Sequence, residues 1–327
     1  MKTGVLYAVT DDGMSLPVID VTNPAFAVAA TDAELAVMSE QFLLEPAKRQ
    51  EIPAPLREAL QRSILGRAIM AASGTFLAGM DTYLFKLGPD NLSANATPID
   101  RRIAESFPAF TARLRLQDMA RLLADGLSLT AVAESRRPVC LINIGGGPAS
   151  DSWNALIYLH AGNPDLLVRR EITIAVMDLD GDGPAFGVRA IDALCAPAAP
   201  LGDLDVRFRH FNYDWSEAVR LREFLDHLHA ADTACAVSSE GGLFEYGSDP
   251  EIVENLRTLH AGTASDAIVV GSVTRDGRAV RALQTANGLS ARPQTIEAFR
   301  FLVEQAGWII QRVIERPFSY NVRLMKG

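Results

Sequence analysis

The sequence has few cysteines and histidines and no long hydrophobic run, and each shortage excludes a class of protein. Three cysteines, Cys140, Cys195 and Cys235, occur at wide spacing without a Cys-x-x-Cys pair, so neither a disulfide scaffold nor a structural zinc site is predicted. The five histidines are isolated from cysteine, and we expect no metal ion. The longest uncharged stretches, 68–80 and 138–150, are shorter than the roughly 20 apolar residues that cross a bilayer, so no membrane association is predicted.

Basic residues are outnumbered as well. The 327 residues contain 31 lysines and arginines against 40 aspartates and glutamates, which gives a net charge of −9. An acidic surface repels polyphosphate, so nucleic acid is not an expected partner. The apolar run at the start is broken by Asp11 and Asp12 and lacks the core of a signal peptide. Together with the unpaired thiols, this predicts a cytoplasmic location.

Residues 1–120 are predicted to form a mostly helical region that begins with a β-hairpin. The hairpin turn falls at 11–14, where Gly13 can take a positive φ. Thr31 and Glu34 have the spacing of a helix capping box, and further helical stretches follow Pro53 and Pro98.

Residues 121–327 alternate between strand and helix, which is typical of a parallel sheet wound on both faces. Only two residues separate the last two predicted strands, so we expect that pair to be antiparallel. The predicted fold is therefore α/β, with a doubly wound, mostly parallel sheet of seven strands and a reversed last strand. The predicted strands are 139–144, 172–178, 205–211, 234–239, 266–273, 308–315 and 318–326.

Glycines and carboxylates follow the predicted strands, where open α/β sheets bind their ligands. Gly145, Gly146 and Gly147 come after the first strand and allow a sharp turn and a close backbone approach to a ligand. Asp178 ends the second strand and is placed to accept hydrogen bonds from both hydroxyls of a ribose. Asp214, after the third strand, lies between aromatic residues and suits an exocyclic amine. Three such positions at one sheet edge predict a nucleoside site.

In these features the sequence resembles the class I S-adenosylmethionine-dependent methyltransferases from about Leu116 onward. The resemblance implies that the glycine turn contacts the methionine end of the cofactor, that Asp178 binds the ribose and that Asp214 approaches the adenine amine. The reversed final strand is part of the same resemblance. The implied cofactor-binding residues are Asn143, Gly145, Gly146, Gly147, Asp178, Leu179, Asn212, Asp214 and Ser239.

Two positions depart from that family's pattern. Asn143 stands where an acid is usual and Ala149 where a third glycine is common. Asparagine accepts a hydrogen bond, but it offers no charge to the cofactor's ammonium group. Within the family, the segment 239–246 resembles leucine-carboxyl-methyltransferase-like proteins, and Asp151 followed by Ser152 resembles a further feature of that branch.

The reaction implied by the resemblance is an in-line displacement, in which the protein mainly orients the acceptor and excludes water. The expected acceptor is a small molecule that carries a hydroxyl or a carboxylate. A general base would assist a hydroxyl, and the candidates are His210, Glu240 and Tyr246. The helical region 1–120 is expected either to cover the cleft or to form the contact of a homodimer.

Two other functions fit the same residues. Gly145, Gly147 and Ser150 approximate the GxGxxG pattern of a nicotinamide-dependent oxidoreductase, although Asp178 lies farther along than the usual ~20 residues. Asn143 also leaves open a non-catalytic relative that binds the cofactor, or a protein partner, without turnover. A calcium loop is not expected at 178–189, because its twelfth position is Arg189, where a glutamate is required.

Overall fold

The computed structural model describes residues 4–44, 53–72, 74–129, 136–288 and 290–327. The described strands are β1 (Tyr7–Val9), β2 (Ser15–Pro17), β3 (Val139–Ile144), β4 (Glu171–Asp178), β5 (Asp205–Asn212), β6 (Ala234–Ser239), β7 (Ile268–Thr274), β8 (Trp308–Glu315) and β9 (Ser319–Lys326). The described helices are α1 (Asp32–Leu44), α2 (Ala54–Arg62), α3 (Ile64–Ala71), α4 (Gly79–Lys86), α5 (Pro98–Glu105), α6 (Phe107–Leu129), α7 (Ser150–Gly162), α8 (Asp182–Leu194), α9 (Val219–Ala230), α10 (Leu243–Tyr246), α11 (Asp249–Gly262), α12 (Arg278–Asn287) and α13 (Ile296–Gln305).

Seven strands form one sheet in the order β5-β4-β3-β6-β7-β9-β8. The first five in this order pair in parallel, whereas β9 pairs antiparallel with both β7 and β8. The predicted fold class and the reversed final strand are therefore confirmed. The strand order also shows that β9 lies between β7 and β8. The short connection after β8 explains why β9 pairs with it in the antiparallel sense.

Both faces of the sheet are covered, and this explains why its central strands are mostly apolar. Val139 and Leu141 belong to one buried cluster, together with residues of α6, α7 and α8. Cys140 and Ile142, which point to the other face, pack with residues of α9, α11 and α13. Successive side chains of a strand point to opposite faces, so a strand buried on both sides is apolar at nearly every position, and a polar residue such as Asn143 has to be hydrogen-bonded there.

The first part of the chain adopts the predicted local structures. β1 and β2 form the antiparallel hairpin, and Gly13 has a φ of +83°. Thr31 and Glu34 form the capping box before α1, with the Glu34 N–H 3.3 Å from the Thr31 hydroxyl oxygen. The predicted division at residue 120 falls inside α6, which continues without a break to Leu129.

Three helical segments differ from the sequence prediction. The apolar pattern predicts a helix over 188–194, but α8 begins at Asp182. Gly183 and Pro184 lie in its first turn, where a backbone N–H has no partner within the helix, so the N–H that proline lacks costs no helical hydrogen bond. α10 and α12 were not predicted, the first because it is a single turn and the second because it is rich in polar residues. None of the helices in the described ranges is both long and apolar enough to span a bilayer.

Candidate functional site

The glycine turn after β3 leads the chain sharply into α7. Gly145 and Gly147 have φ values of +65° and +57°, in the left-handed region that glycine adopts at little cost. The Gly145 N–H donates to the Met177 carbonyl at 2.9 Å, which fixes the turn against the end of β4. Ala149 takes the same left-handed conformation just before α7 begins. The third glycine that the family pattern favours is therefore replaced by an alanine in a backbone conformation that suits glycine.

Gly145 and Gly147 have different surroundings. A β-carbon at position 145 would lie 2.7 Å from the Trp215 ring, which is a movable side chain, and 3.3 Å from the Gly242 Cα. A β-carbon at position 147 would lie 2.7 Å from the Gly79 Cα, and Gly183 packs against Gly147 equally closely. Backbone cannot yield as a ring can, so Gly147 is required by packing, whereas Gly145 faces a group that can turn aside for a ligand.

Asp178 lies against this turn. Its Oδ2 accepts a hydrogen bond from the Gly147 N–H at 3.0 Å, and its Oδ1 accepts one from the Asp180 N–H at 3.0 Å. Burial raises the pKa of Asp178, and these two backbone hydrogen bonds oppose the rise. Each oxygen keeps a lone pair for a second donor. Leu179, the next residue, leaves 59% of its surface exposed and offers an apolar face beside the carboxylate.

The end of β5 adds polar groups to the same sheet edge. The Asn212 side-chain amide donates to the Leu179 carbonyl at 3.3 Å, and the exposed Asp214 carboxylate accepts the Ser216 N–H at 2.9 Å. His210 Nε2 lies 2.9 Å from the Asp178 carbonyl oxygen. The nucleoside-binding candidates after β3, β4 and β5 are thus brought together.

Beneath the glycine turn, Asn143 is completely buried. Its amide donates to Asp151 Oδ1 at 2.8 Å and to the Ser238 hydroxyl at 3.1 Å. Burial raises the pKa of Asp151 to about 6, with nearby Glu240 adding to the rise, while a hydrogen bond from the Ser238 hydroxyl and the charge of Lys86 oppose it. The class I methyltransferase pattern has an acid at the position of Asn143. This chain has an asparagine there, but the Asp151 carboxyl group lies directly beside it.

A buried layer of charge lies beside this group, after β6. Glu240 accepts hydrogen bonds from Lys86 and, at 2.7 Å, from Arg115 Nε, and Arg115 also binds Glu245 Oε1 at 2.8 Å. Although burial opposes ionisation, Lys86 and Arg115 hold the pKa of Glu240 below its usual range. The Ser272 hydroxyl donates to Glu245 at 2.7 Å. We call Lys86, Arg115, Glu240 and Glu245 the charged layer.

A cavity of about 230 Å³ opens over the charged layer, between the sheet end and the helices of the first region. Most of its wall is apolar, and its polar end is formed by Arg115, Glu245, Tyr246 and Thr274. The apolar wall includes Leu77, Phe85, Ile103, Val280, Leu283 and Phe318.

The candidate bases occupy three different environments. Glu240 is engaged by two cations, so it is poorly suited to accept a proton. His210 lies at the edge of the sheet where β4 and β5 end, beside Asp178. Tyr246 lines the cavity, and burial together with Glu245 raises the pKa of its phenol, which stays neutral. Glu245 also lines the cavity and was missed as a candidate. Its position five residues after Glu240 was visible in the sequence, but its pairing with Arg115 was not.

Ser239 has a structural contact at the end of β6. Its hydroxyl donates to the Ile144 carbonyl at 2.9 Å and accepts the Leu243 N–H at 2.9 Å. The first of these bonds joins the ends of β3 and β6, where the strand order reverses.

Among the residues that the structure describes, no group of three or more His, Cys, Asp or Glu side chains is placed to hold a metal ion.

No protein-family model matches the chain, and no curated protein matches it. Among solved structures, a possible exported protein from Bordetella parapertussis is similar over 93% of this chain and 99% of its own, at 19% identity and a TM-score of 0.56. The chain is also similar to the mitomycin 7-O-methyltransferase MmcR, over 94% of this chain and 81% of that one, at 14% identity and a TM-score of 0.42. The pyocyanin biosynthetic protein PhzM matches over 91% of this chain and 74% of that one, at 13% identity and a TM-score of 0.44. The similarity to the Bordetella protein shows a shared fold.

Proposed function

We propose that the protein transfers a methyl group from S-adenosylmethionine to a small molecule. The observation that carries this proposal is the contact of Asp178 with the glycine turn, at 3.0 Å from the Gly147 nitrogen, at the carboxyl ends of β3 and β4. In an open α/β sheet, ligands bind where the strand order reverses, which here is between β3 and β6. The reversed final strand, β9, is a feature that the class I methyltransferase resemblance implied.

The residues at this edge fit the cofactor. Gly145 would allow its backbone to approach the ligand once the Trp215 ring moves, and the lone pairs of Asp178 would accept the ribose hydroxyls. The exposed Leu179 would pack on the adenine, and Asp214 would accept its amine. When bound, the cofactor supplies an electrophilic methyl group on its sulfonium.

The cavity over the charged layer would hold the acceptor. Its apolar wall excludes water, and Tyr246 and Thr274 offer hydrogen bonds that orient a polar group. Glu245 is the carboxylate placed to take a proton from a hydroxyl, while Arg115 holds it in position at 2.8 Å.

We also propose that the acceptor atom is a hydroxyl or carboxylate oxygen. The sequence of 239–246 supports a place near the leucine-carboxyl-methyltransferase-like branch.

A second candidate is a non-catalytic relative of the methyltransferases. It is favoured by the close packing of Gly79 and Gly183 on Gly147 and by the Trp215 ring over Gly145, which together cover the glycine turn with the protein's own atoms.

Calorimetric titration tests the proposal. Purified protein, checked by mass spectrometry for carried-over ligand, is titrated with S-adenosylmethionine and S-adenosylhomocysteine, with NAD and NADP as controls. Saturable binding of the adenosyl-sulfur ligands alone, followed by transfer of label from methyl-labelled cofactor to an acceptor, is the expected result. Binding of NAD alone would replace the proposal with an oxidoreductase, and binding without transfer to any acceptor would favour the non-catalytic relative.

A homodimer and a cytoplasmic location stay predictions from the sequence. Light scattering and cell fractionation are the measurements that test them.

A further inference from the structure

A buried polar group beneath the glycine turn has unpaired oxygens. Asp151, in the first turn of α7, accepts hydrogen bonds at Oδ1 from the Asn143 amide at 2.8 Å and the Ser152 N–H at 2.9 Å. Its Oδ2, the Asn143 Oδ1 and the Ser152 hydroxyl find no partner in the described part of the chain. All three residues are at most 1% exposed. An unpaired buried polar atom is costly, so the two unpaired acceptors that belong to one hydrogen-bonded group, Asp151 Oδ2 and Asn143 Oδ1, indicate a missing partner that donates.

The charges around this group leave Asp151 without a cation of its own. Lys86, the cation that acts on Asp151, is hydrogen-bonded to Glu240, and Arg115 is shared between Glu240 and Glu245. Two cations therefore face two carboxylates in the charged layer, and Asp151 is a third carboxylate. The missing partner is therefore a donor that also carries positive charge.

The location is that of the proposed cofactor site. Asn143 and Ser238 are register partners on β3 and β6, the two strands between which the strand order reverses. The glycine turn lies directly above, since a β-carbon at Gly146 would meet Asn143 Oδ1 at 2.1 Å.

We propose that Asp151 and Asn143 bind a primary ammonium group, the one carried by the amino-acid end of the cofactor. This inference rests on the proposed function. An ammonium has three N–H donors, which is enough to serve both unpaired acceptors, Asp151 Oδ2 and Asn143 Oδ1. Asp151 then supplies, from the neighbouring helix, the negative charge that Asn143 lacks.

The test compares ligands that differ only in that end. S-adenosylhomocysteine carries the ammonium and a carboxylate, S-adenosyl-3-thiopropylamine keeps only the ammonium, and 5′-methylthioadenosine has neither. By calorimetry, we expect Asp151→Asn to weaken binding of the first two about 10- to 100-fold and to leave methylthioadenosine within about twofold. The exposed Asp165→Asn, beyond the far end of α7, is the matched control and should change no affinity.

A double variant tests the idea through rescue. Asn143→Asp with Asp151→Asn exchanges the carboxylate and the amide, and should recover most of the lost affinity for the two ammonium ligands. If the Asp151→Asn variant does not fold, the ligand preference of the wild-type protein is measured as a function of pH instead. Its preference for S-adenosyl-3-thiopropylamine over methylthioadenosine should fall as the pH is lowered from about 8 to about 5 and Asp151 is protonated, with Lys86 and Glu240 as the other charged groups facing it.

The outcomes separate this inference from the proposed function. An equal change for all three ligands in Asp151→Asn, or a constant preference across the pH range, would overturn the ammonium site while leaving the nucleoside site in place. Failure of the wild-type protein to bind any of them would overturn both proposals.

Discussion

The two halves of the candidate site are built by different means. At the nucleoside edge, formed by Gly145, Asp178, Leu179 and Asp214, the carboxylates accept hydrogen bonds from nearby backbone N–H groups and are partly open to solvent. In the charged layer, the bonds join side chains that are 125 to 154 residues apart and lie in the interior. A single substitution at the nucleoside edge should therefore cost little free energy of unfolding. Removal of any one charge of the charged layer should cost much more, because it leaves an unpaired charge in the interior.

The sharpest test of this contrast removes the shared cation of the charged layer. Replacing Arg115 with methionine leaves Glu245 without a cation, and we expect the free energy of unfolding to fall by about 3–5 kcal/mol in urea denaturation. Arg121→Met, on the exposed face of the same helix, is the control and should cost less than about 1 kcal/mol. Similar losses in the two variants would show that the charged layer is not a cooperative unit.

The glycine turn allows a second test. Gly147→Ala combines a positive φ with a collision against the Gly79 backbone, and we expect a loss of about 2–4 kcal/mol in stability. Gly13→Ala has a similar φ with no atom within 4 Å, so its loss should be about 1 kcal/mol. Equal losses would mean that backbone conformation alone requires glycine at 147.

At the nucleoside edge the expected effect is on binding rather than on folding. Asp178→Ala should weaken S-adenosylhomocysteine binding by about 1–3 kcal/mol, through the loss of charge-assisted hydrogen bonds. Asp180→Ala, two residues further on, should leave calorimetric affinity unchanged, since its carboxylate accepts the Asp182 N–H instead. Unchanged affinity in a folded Asp178→Ala protein would remove this residue from the site.

The smallest expected effect is a gain in stability. Because burial raises the pKa of Asp151 from 3.8 to about 6, its ionisation destabilises the fold as the pH rises through that value. Asp151→Asn should therefore be about 1–2 kcal/mol more stable than wild type near pH 8, with no difference near pH 4. Chemical denaturation at both pH values measures this, and a gain that persists in acid would point to a cause other than charge.

Sequence reasoning succeeded where local pattern dictates structure. β3, β6 and β8 have the predicted bounds, the first two because a short, mostly apolar run is the direct consequence of burial on both faces. The grouping of Gly145, Asp178 and Asp214 at one edge of the sheet was predictable for a related reason, since the carboxyl ends of neighbouring parallel strands meet there. α12 was missed because the segment is short and polar on average, although its apolar residues Ala279, Val280 and Leu283 lie at helical spacing.

The charged layer could not be predicted. Nothing local to Arg115 indicates that it pairs with Glu245, 130 residues away on another element. The same limit applies to Asp151, whose carboxylate lies beside Asn143 only because α7 turns back over the end of β3. The sequence shows an acid missing at 143, and only the three-dimensional structure shows one beside it.

The position of β9 has a consequence for synthesis on the ribosome. This strand is translated after every other strand, yet it lies inside the sheet between β7 and β8, and Asn321 on it donates to Asp118 of α6 at 2.9 Å. Until β9 emerges, β7 keeps an open edge and the Asp118 carboxylate lacks this partner. The sheet can therefore be completed only after β9 has been translated, and a nascent chain stalled before β9 would expose an edge that invites aggregation.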